Sequence, residues 1–184
     1  MNARNVAFAV TLLVGLALDQ ATKLWVAGAL VEGVDEIQVI PGLFSLVHRQ
    51  NPGAAFGMFR EWEYRHYLFL GFTVIAGAFI VDLLRKSRAA DAFLGATLGL
   101  ILSGAVGNAI DRVAKQTVTD FLKVYADFEP VRGWLVGAVG TNEWPSFNVA
   151  DAALVVGVAL YLIHQRWFDV PAVAAAPEQT QTGS

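Results

Sequence analysis

The sequence predicts an all-α membrane protein of four transmembrane helices carrying a small extracytoplasmic β-sheet, and three observations carry that prediction. The 184 residues are 55% hydrophobic and only 16% charged, with a positive mean hydropathy, a balance that a soluble domain of this size rarely tolerates. Four apolar stretches, 6–29, 67–81, 92–110 and 148–163, each approach the roughly 20 residues that a spanning helix needs once their neighbours are included. Between the first two lies a segment whose apolar residues come in runs too short to span, 37–40 and 43–47, β-branched or aromatic and separated by Pro41-Gly42. Those runs read as strands.

Taken in order, the first stretch is interrupted by Asp19 and Lys23, which stand at i and i+4 on one face near its end. Arg4 before an apolar run also suits a cleaved signal peptide, but no small-x-small cleavage site follows and the two charges interrupt its end. The short loop 82–91 holds Arg85, Lys86 and Arg88, while Arg4 and Arg166 flank the outer ends of the first and fourth helices. An even number of spans puts both termini on one side, and the positive-inside rule makes that side cytoplasmic. The opposite side carries more basic residues, including Arg49, Arg60, Arg65, Lys115, Lys123 and Arg132, but spreads them over two long segments with many acids. Residues 30–66 and 115–146 are then outside. Residues 1–168 form one domain, with the β segment at about 30–60, and the Pro-, Ala-, Gln- and Thr-biased residues 169–184 form a disordered tail. Trp25, Trp62, Trp134, Trp144 and Trp167 fall near span ends, where aromatic belts form. Gly95, Gly99, Gly104 and Gly107 suit close helix packing.

A formal net charge of −3 offers no basic excess to attract nucleic acid. The absence of cysteine removes disulfides, thiolate metal sites and a Cys nucleophile together.

Polar residues gather where the third helix ends and the fourth begins. Asn108, Asp111 and Arg112 stand at i, i+3 and i+4 on the third helix, where Asp111 and Arg112 are expected to share an ion-pair network. Asn148 and Asp151 stand at i and i+3 on the fourth. Asp120 lies in "TVTDF", whose β-branched residues suggest an extended segment past the helix, from which the carboxylate can reach towards Asp151. "NPGAAFG", residues 51–57, adds Asn51 and a turn with Gly53, where backbone can approach something closely. All of these fall on one side of the membrane.

An ionisable group placed at the mouth of a span costs at least about 2.5 kcal/mol and marks function by default. A Ser or Thr nucleophile lacks a base, because His164 sits on the other side and His48 and His66 flank strands or helix starts. The histidines are too far apart for a metal site, and no cofactor motif is present. Paired carboxylates remain: two close Asp groups in a low-dielectric site cannot both ionise readily, so one serves as acid while the other activates water. The rival reading is a small proton-coupled transporter using the same carboxylates, which should carry polar residues through the midplane. Here the acids cluster at one interface. A non-catalytic assembly factor is a third reading.

"LDQATK", "NPGAAFG", "GNAIDR" with "VTDFL", and "FNVADAAL" occur in that order, each on its expected element. On these motifs the sequence resembles the lipoprotein signal peptidase (signal peptidase II) family of bacterial inner membranes over its first 168 residues or so. The resemblance implies an aspartic endopeptidase that cleaves diacylglyceryl-modified prolipoproteins just before the lipid-bearing cysteine, as a monomer in contact with membrane lipid and with no cofactor or metal. It implies Asp120 and Asp151 as the catalytic dyad, Asn51, Gly53, Asn108, Arg112 and Asn148 as substrate-binding or dyad-orienting groups, and Asp19, Lys23 and Asp111 as supports. The segment between the dyad members looks longer than is usual in that family.

Overall fold

The computed structural model describes residues 2–53 and 64–167. The expected tail, Trp62, Arg60 and residues 54–57 of "NPGAAFG" lie outside the described residues. The order is α1 (Ala3–Ala29), β1 (Glu36–Ile40), β2 (Phe44–Asn51), α2 (Arg65–Lys86), α3 (Ala92–Lys115), β3 (Val118–Val124), α4 (Val131–Val139) and α5 (Val149–Trp167). Four of the helices, α1, α2, α3 and α5, are long and apolar enough to cross a membrane. The strands form one antiparallel sheet in the order β1-β2-β3.

Local chemistry sets the ends. Asn2 caps α1 by accepting from the N–H of Asn5, and Asp91 caps α3 by accepting from the N–H of Leu94, each satisfying an orphan donor of the first turn. Gln116 stops α3 in a left-handed conformation (φ 60°), and after Thr117 the strand β3 starts at Val118. Gly42, at φ 78°, turns β1 into β2.

α3 is the centre of the bundle, with α1, α2 and α5 packed around it. Lipid tails are as apolar as leucine, so helices in a bilayer associate by close approach rather than by escape from water. The glycines provide that approach. Gly99 lies against the carbonyl of Phe8, where a Cβ would sit 2.5 Å from the oxygen; Gly95 faces the Arg4 carbonyl and Gly104 the Ala150 carbonyl. Gly107 meets the Asp19 carboxylate. The expected packing role of all four is borne out, and Gly15 and Gly157 add two more close contacts, with Ser103 and Ile101. The outer faces of α1, α2 and α5 expose Leu13, Val74, Ile75 and Leu162, as lipid-facing surfaces should.

A polar layer closes the bundle at one end and the sheet closes it at the other. At one end the N–H of Arg4 donates to Ala89 and its guanidinium reaches Ser87, while His164 meets Asp91 at 2.7 Å, which joins the start of α1, the α2–α3 turn and the end of α5. At the other end the sheet rests across the helix tops, with Phe121 of β3 packed on Val26 of α1 and on Leu30, which caps that helix.

The sheet extends further than the sequence suggested. β2 continues through Asn51, and "TVTDF" becomes a third strand paired along β2, with Asn51 opposite Val118 and Arg49 opposite Asp120. The helix α4 was not expected at all: its valine-rich "VRGWLVGAV" has no polar face from which to read a period.

Candidate active site

The site is built where α3, β3 and α5 meet. "SFNVAD" folds as a reciprocal cap: Asn148 Oδ1 accepts from the N–H of Asp151 at 3.0 Å, and Asp151 Oδ2 accepts from the N–H of Asn148 at 3.1 Å. Asn148 therefore precedes α5 instead of lying on its first turn, and the cap fixes Asp151 at the mouth of the helix. Asp120 arrives on β3, within its buried run 118–121, and is only 3% exposed.

Three asparagine amides hold the two carboxylates. Asn51 Nδ2 donates to Asp120 Oδ2 at 2.9 Å, Asn148 Nδ2 donates to Asp120 Oδ1 at 2.8 Å, and Asn108 Nδ2 donates to Asp151 Oδ1 at 2.7 Å. Each amide is also oriented from its other end. Asn51 Oδ1 accepts from the N–H of Gly53, Asn148 Oδ1 is engaged in the cap, and Asn108 Oδ1 accepts from Lys23 Nζ at 3.0 Å and from Asn148 Nδ2 at 3.2 Å. None can flip without breaking a second bond, so every amide must present N–H groups to a carboxylate. Burial pushes the carboxyl of Asp120 up to about 7; the amide of Asn51 opposes that rise, the charge of Asp151 adds to it, and Asn148 and Lys23 oppose it less strongly.

Beneath the two carboxylates lies a buried cation. Lys23 Nζ contacts Asp19 Oδ2 at 2.9 Å and Asp111 Oδ2 at 3.4 Å, with Lys23 2% exposed and Asp19 1%. Asp19 also accepts from the N–H of Ala150 at 2.9 Å, so α1 holds the first turn of α5. Asp111 accepts from the N–H of Thr119 at 2.9 Å, next to Asp120, and pairs with Lys115 at 3.4 Å. The expected ion pair of Asp111 with Arg112 is not formed. Consecutive residues on a helix diverge by about 100°, and Arg112 turns the other way: it donates to the carbonyl of Asn108 at 3.4 Å and lies 4.3 Å from the centre of the Phe69 ring.

The structure thus brings together Asn51, Gly53, Asn108, Arg112, Asp120, Asn148 and Asp151, with Asp19, Lys23 and Asp111 supporting them from below. Sequence reasoning missed the outer support. Gln50 Nε2 donates to Thr119 Oγ1 at 3.2 Å and contacts His48 Nε2, whose Nδ1 meets the carbonyl of Leu30; Thr117 Oγ1 donates to Gln50 Oε1. The "HRQN" run carried the signal, since polar residues on consecutive positions of a strand must place some on the buried face. Among the described residues no group of His, Cys, Asp and Glu is arranged to hold a metal.

A cavity of about 1070 Å³ opens over both carboxylates, between α2 and α5. Asn51, Gly53, Asn108, Arg112, Asp120 and Asp151 form its polar end, and Phe72, Ala76, Val155 and Val156 line its walls. Such a space suits a ligand with a polar segment at the two carboxylates and a long apolar part beside the helices. Above it, the 141–147 loop is tied to the sheet: Glu143 bridges Arg49 and Lys123, and Ser146 accepts from Arg49.

Comparison with known proteins points to one family. Residues 11–167 match the model of the family described as Signal peptidase (SPase) II. The lipoprotein signal peptidase of Geobacter metallireducens is 44% identical over 153 residues, 83% of this chain and 86% of that protein. That of Geobacter sulfurreducens is 41% identical over 85% of this chain and 89% of its own length, and that of Geobacillus thermodenitrificans 37% identical over 85% and 87%. Among solved structures, one described as a bacterial membrane enzyme determined by the in meso method at 1.9 Å superposes with a TM-score of 0.71 at 27% identity, covering 89% of this chain and 94% of that one.

Proposed function

The chain belongs to the signal peptidase II family, and from that membership we propose that it removes the signal peptide from diacylglyceryl-modified prolipoproteins as an aspartic endopeptidase, with Asp120 and Asp151 as its dyad. The observation that supports the catalytic assignment is the set of three oriented asparagine amides, which converge on these two carboxylates and, among the described residues, on no other acid. Cleavage falls before the lipidated cysteine. The diacylglyceryl chains lie along the apolar walls of the cavity, and the peptide crosses the dyad.

The two carboxyls share one proton; we place it on Asp120, whose carboxyl burial pushes up to about 7, and make Asp151 the base. A water held between them gives its proton to Asp151 as its oxygen bonds to the scissile carbonyl carbon, while Asp120 protonates the carbonyl oxygen. When the tetrahedral species collapses, the C–N bond breaks, the proton on Asp151 passes to the leaving nitrogen, and the new hydroxyl returns its proton to Asp120. Asn51, Asn108 and Asn148 hold both carboxylates through this exchange, Gly53 offers backbone to the peptide, and Arg112 provides positive charge at the cavity wall. Asp19, Lys23 and Asp111 keep the three elements in register.

The enzyme is a multi-pass protein of the bacterial cytoplasmic membrane. We place both termini and the Arg85–Arg88 turn in the cytoplasm and the dyad at the outer face, on the charge of that turn and the even number of spans. Residues 1–168 form one peptidase domain that works as a monomer surrounded by lipid. The functional test is cleavage of a diacylglyceryl lipobox peptide in detergent, unaffected by chelators and by serine or thiol reagents. Loss of activity on chelation with recovery on adding zinc contradicts the aspartic mechanism, and absence of cleavage by folded protein contradicts the substrate.

A further inference from the structure

α4 has no substantial packing partner among the other described helices and strands. None of its residues is buried; Trp134 is 70% exposed and Val139 67%, and only Leu135 is half-covered. An isolated helix of nine residues is marginal in water, where nucleation is unfavourable and too few hydrogen bonds follow. An exposed apolar surface of this kind marks an interaction site. We propose that α4 lies in the membrane interface on the face where the dyad opens, as an additional in-plane contact between the enzyme and the bilayer.

Two observations select lipid as the occupant. The first is position. β3 is pinned to α3 through Thr119 and Asp111, and to α1 through Phe121, Val26 and Leu30, so it runs across the helix tops along the membrane surface. α4 leaves from the far end of that strand. Its base stays at that level because the N–H of Tyr125 donates to Leu43, that of Asp127 to Gly42 and that of Ala126 to Asn142. The neighbouring β1–β2 turn is itself apolar and exposed at Ile40 and Leu43, as is Phe128.

The second is the distribution of polarity. The charged groups sit at the start of the helix and are already engaged: Arg132 pairs with Asp127 at 3.4 Å, and Glu129 accepts from the N–H of Gly133. Beyond Arg132 the helix carries no charge. Trp134 and Val136 lie about 200° apart around the axis at 3.6 residues per turn, yet both are exposed. A second protein copy covers one flank of a helix, whereas lipid covers every flank presented to it. At about 1.5 Å per residue the helix is far too short to span, and a tryptophan at the boundary between headgroups and acyl chains is the usual anchor.

The chain contains no cysteine, so single labels can be placed cleanly. Trp134→Cys and Val139→Cys, with Leu13→Cys on the lipid face of α1 as reference, each carry a nitroxide in the full-length protein in nanodiscs of phosphatidylethanolamine and phosphatidylglycerol. Collision with oxygen should exceed collision with a water-soluble nickel chelate at both α4 sites, as at residue 13. A nickel preference at either α4 site makes α4 a water-exposed lid, and shielding from both reagents makes it a contact between protein chains; either result overturns the proposal.

Discussion

Asp111 Oδ2 accepts the N–H of Thr119 at 2.9 Å, so a buried acid on α3 sets the position of the strand residue beside Asp120. The same carboxylate faces Lys23 and Lys115. Asp111→Asn keeps an oxygen for Thr119 but removes the charge that both lysines use. Hydrogen bonds to charged groups contribute about 1.5–3 kcal/mol, so the variant should lose stability on that scale and keep at least about a tenth of its activity. Thermal melting in detergent, followed by initial rates, checks this; unchanged melting with abolished cleavage would place Asp111 in the chemistry.

Lys23 is the only cation within 4 Å of Asp19 among the described residues, and it is buried. Lys23→Met leaves two acids without their shared partner and should cost about 3–5 kcal/mol. Adding Asp19→Asn should restore part of that loss, because the stranded charge is then removed. A double-mutant cycle measures the coupling, and strict additivity would show that the pair is not coupled.

Gly104 packs on the carbonyl of Ala150, next to Asp151, whereas Gly28 has open space around it. Gly104→Ala should push α5 away from α3, with a loss of about 1–3 kcal/mol from overpacking and a drop in cleavage, because Asn108 can no longer reach Asp151. Gly28→Ala should be neutral or slightly stabilising, since alanine favours the helix by about 1 kcal/mol. Equal effects of the two on melting would refute the close-packing account.

The raised carboxyl of Asp120 makes stability depend on pH with a definite sign. Its value of about 7 lies above the ordinary 3.8, so between those values the folded state binds more protons than the unfolded chain. This contribution is fully present below about pH 4 and is lost as pH rises through 7. Asp120→Asn cannot titrate there, so its melting advantage over the wild type should be larger at pH 8 than at pH 5. A gap that narrows with rising pH would contradict the burial-driven shift.

The spans were legible because lipid demands long apolar runs, and Asp151 stood out because a carboxylate at a span mouth is costly enough to need a reason. The partner of Asp111 was misread because Arg112 is adjacent in sequence, while the residues that meet Asp111 come from α1 and from the next turn of α3. Lys115, at i+4, could have been found by spacing alone. The reciprocal bonds of Asn148 and Asp151 could also have been read, since a capping pair has a fixed offset of three residues. Gln50 and Thr119 become partners only through the register of β2 on β3, which a shifted pairing between Leu46 and Arg49 sets and no local pattern encodes.

The most direct test is the initial rate on a diacylglyceryl lipobox peptide for Asp120→Asn, Asp151→Asn and the double variant, each purified to equal monodispersity. Asparagine preserves shape and one accepting oxygen but cannot take up and return a proton. Each single change should therefore lower cleavage by at least about a hundredfold, and the double change should be scarcely worse, because acid and base act as one unit. If either single variant kept more than about a tenth of the wild-type rate, the assignment of Asp120 and Asp151 as the dyad would be wrong.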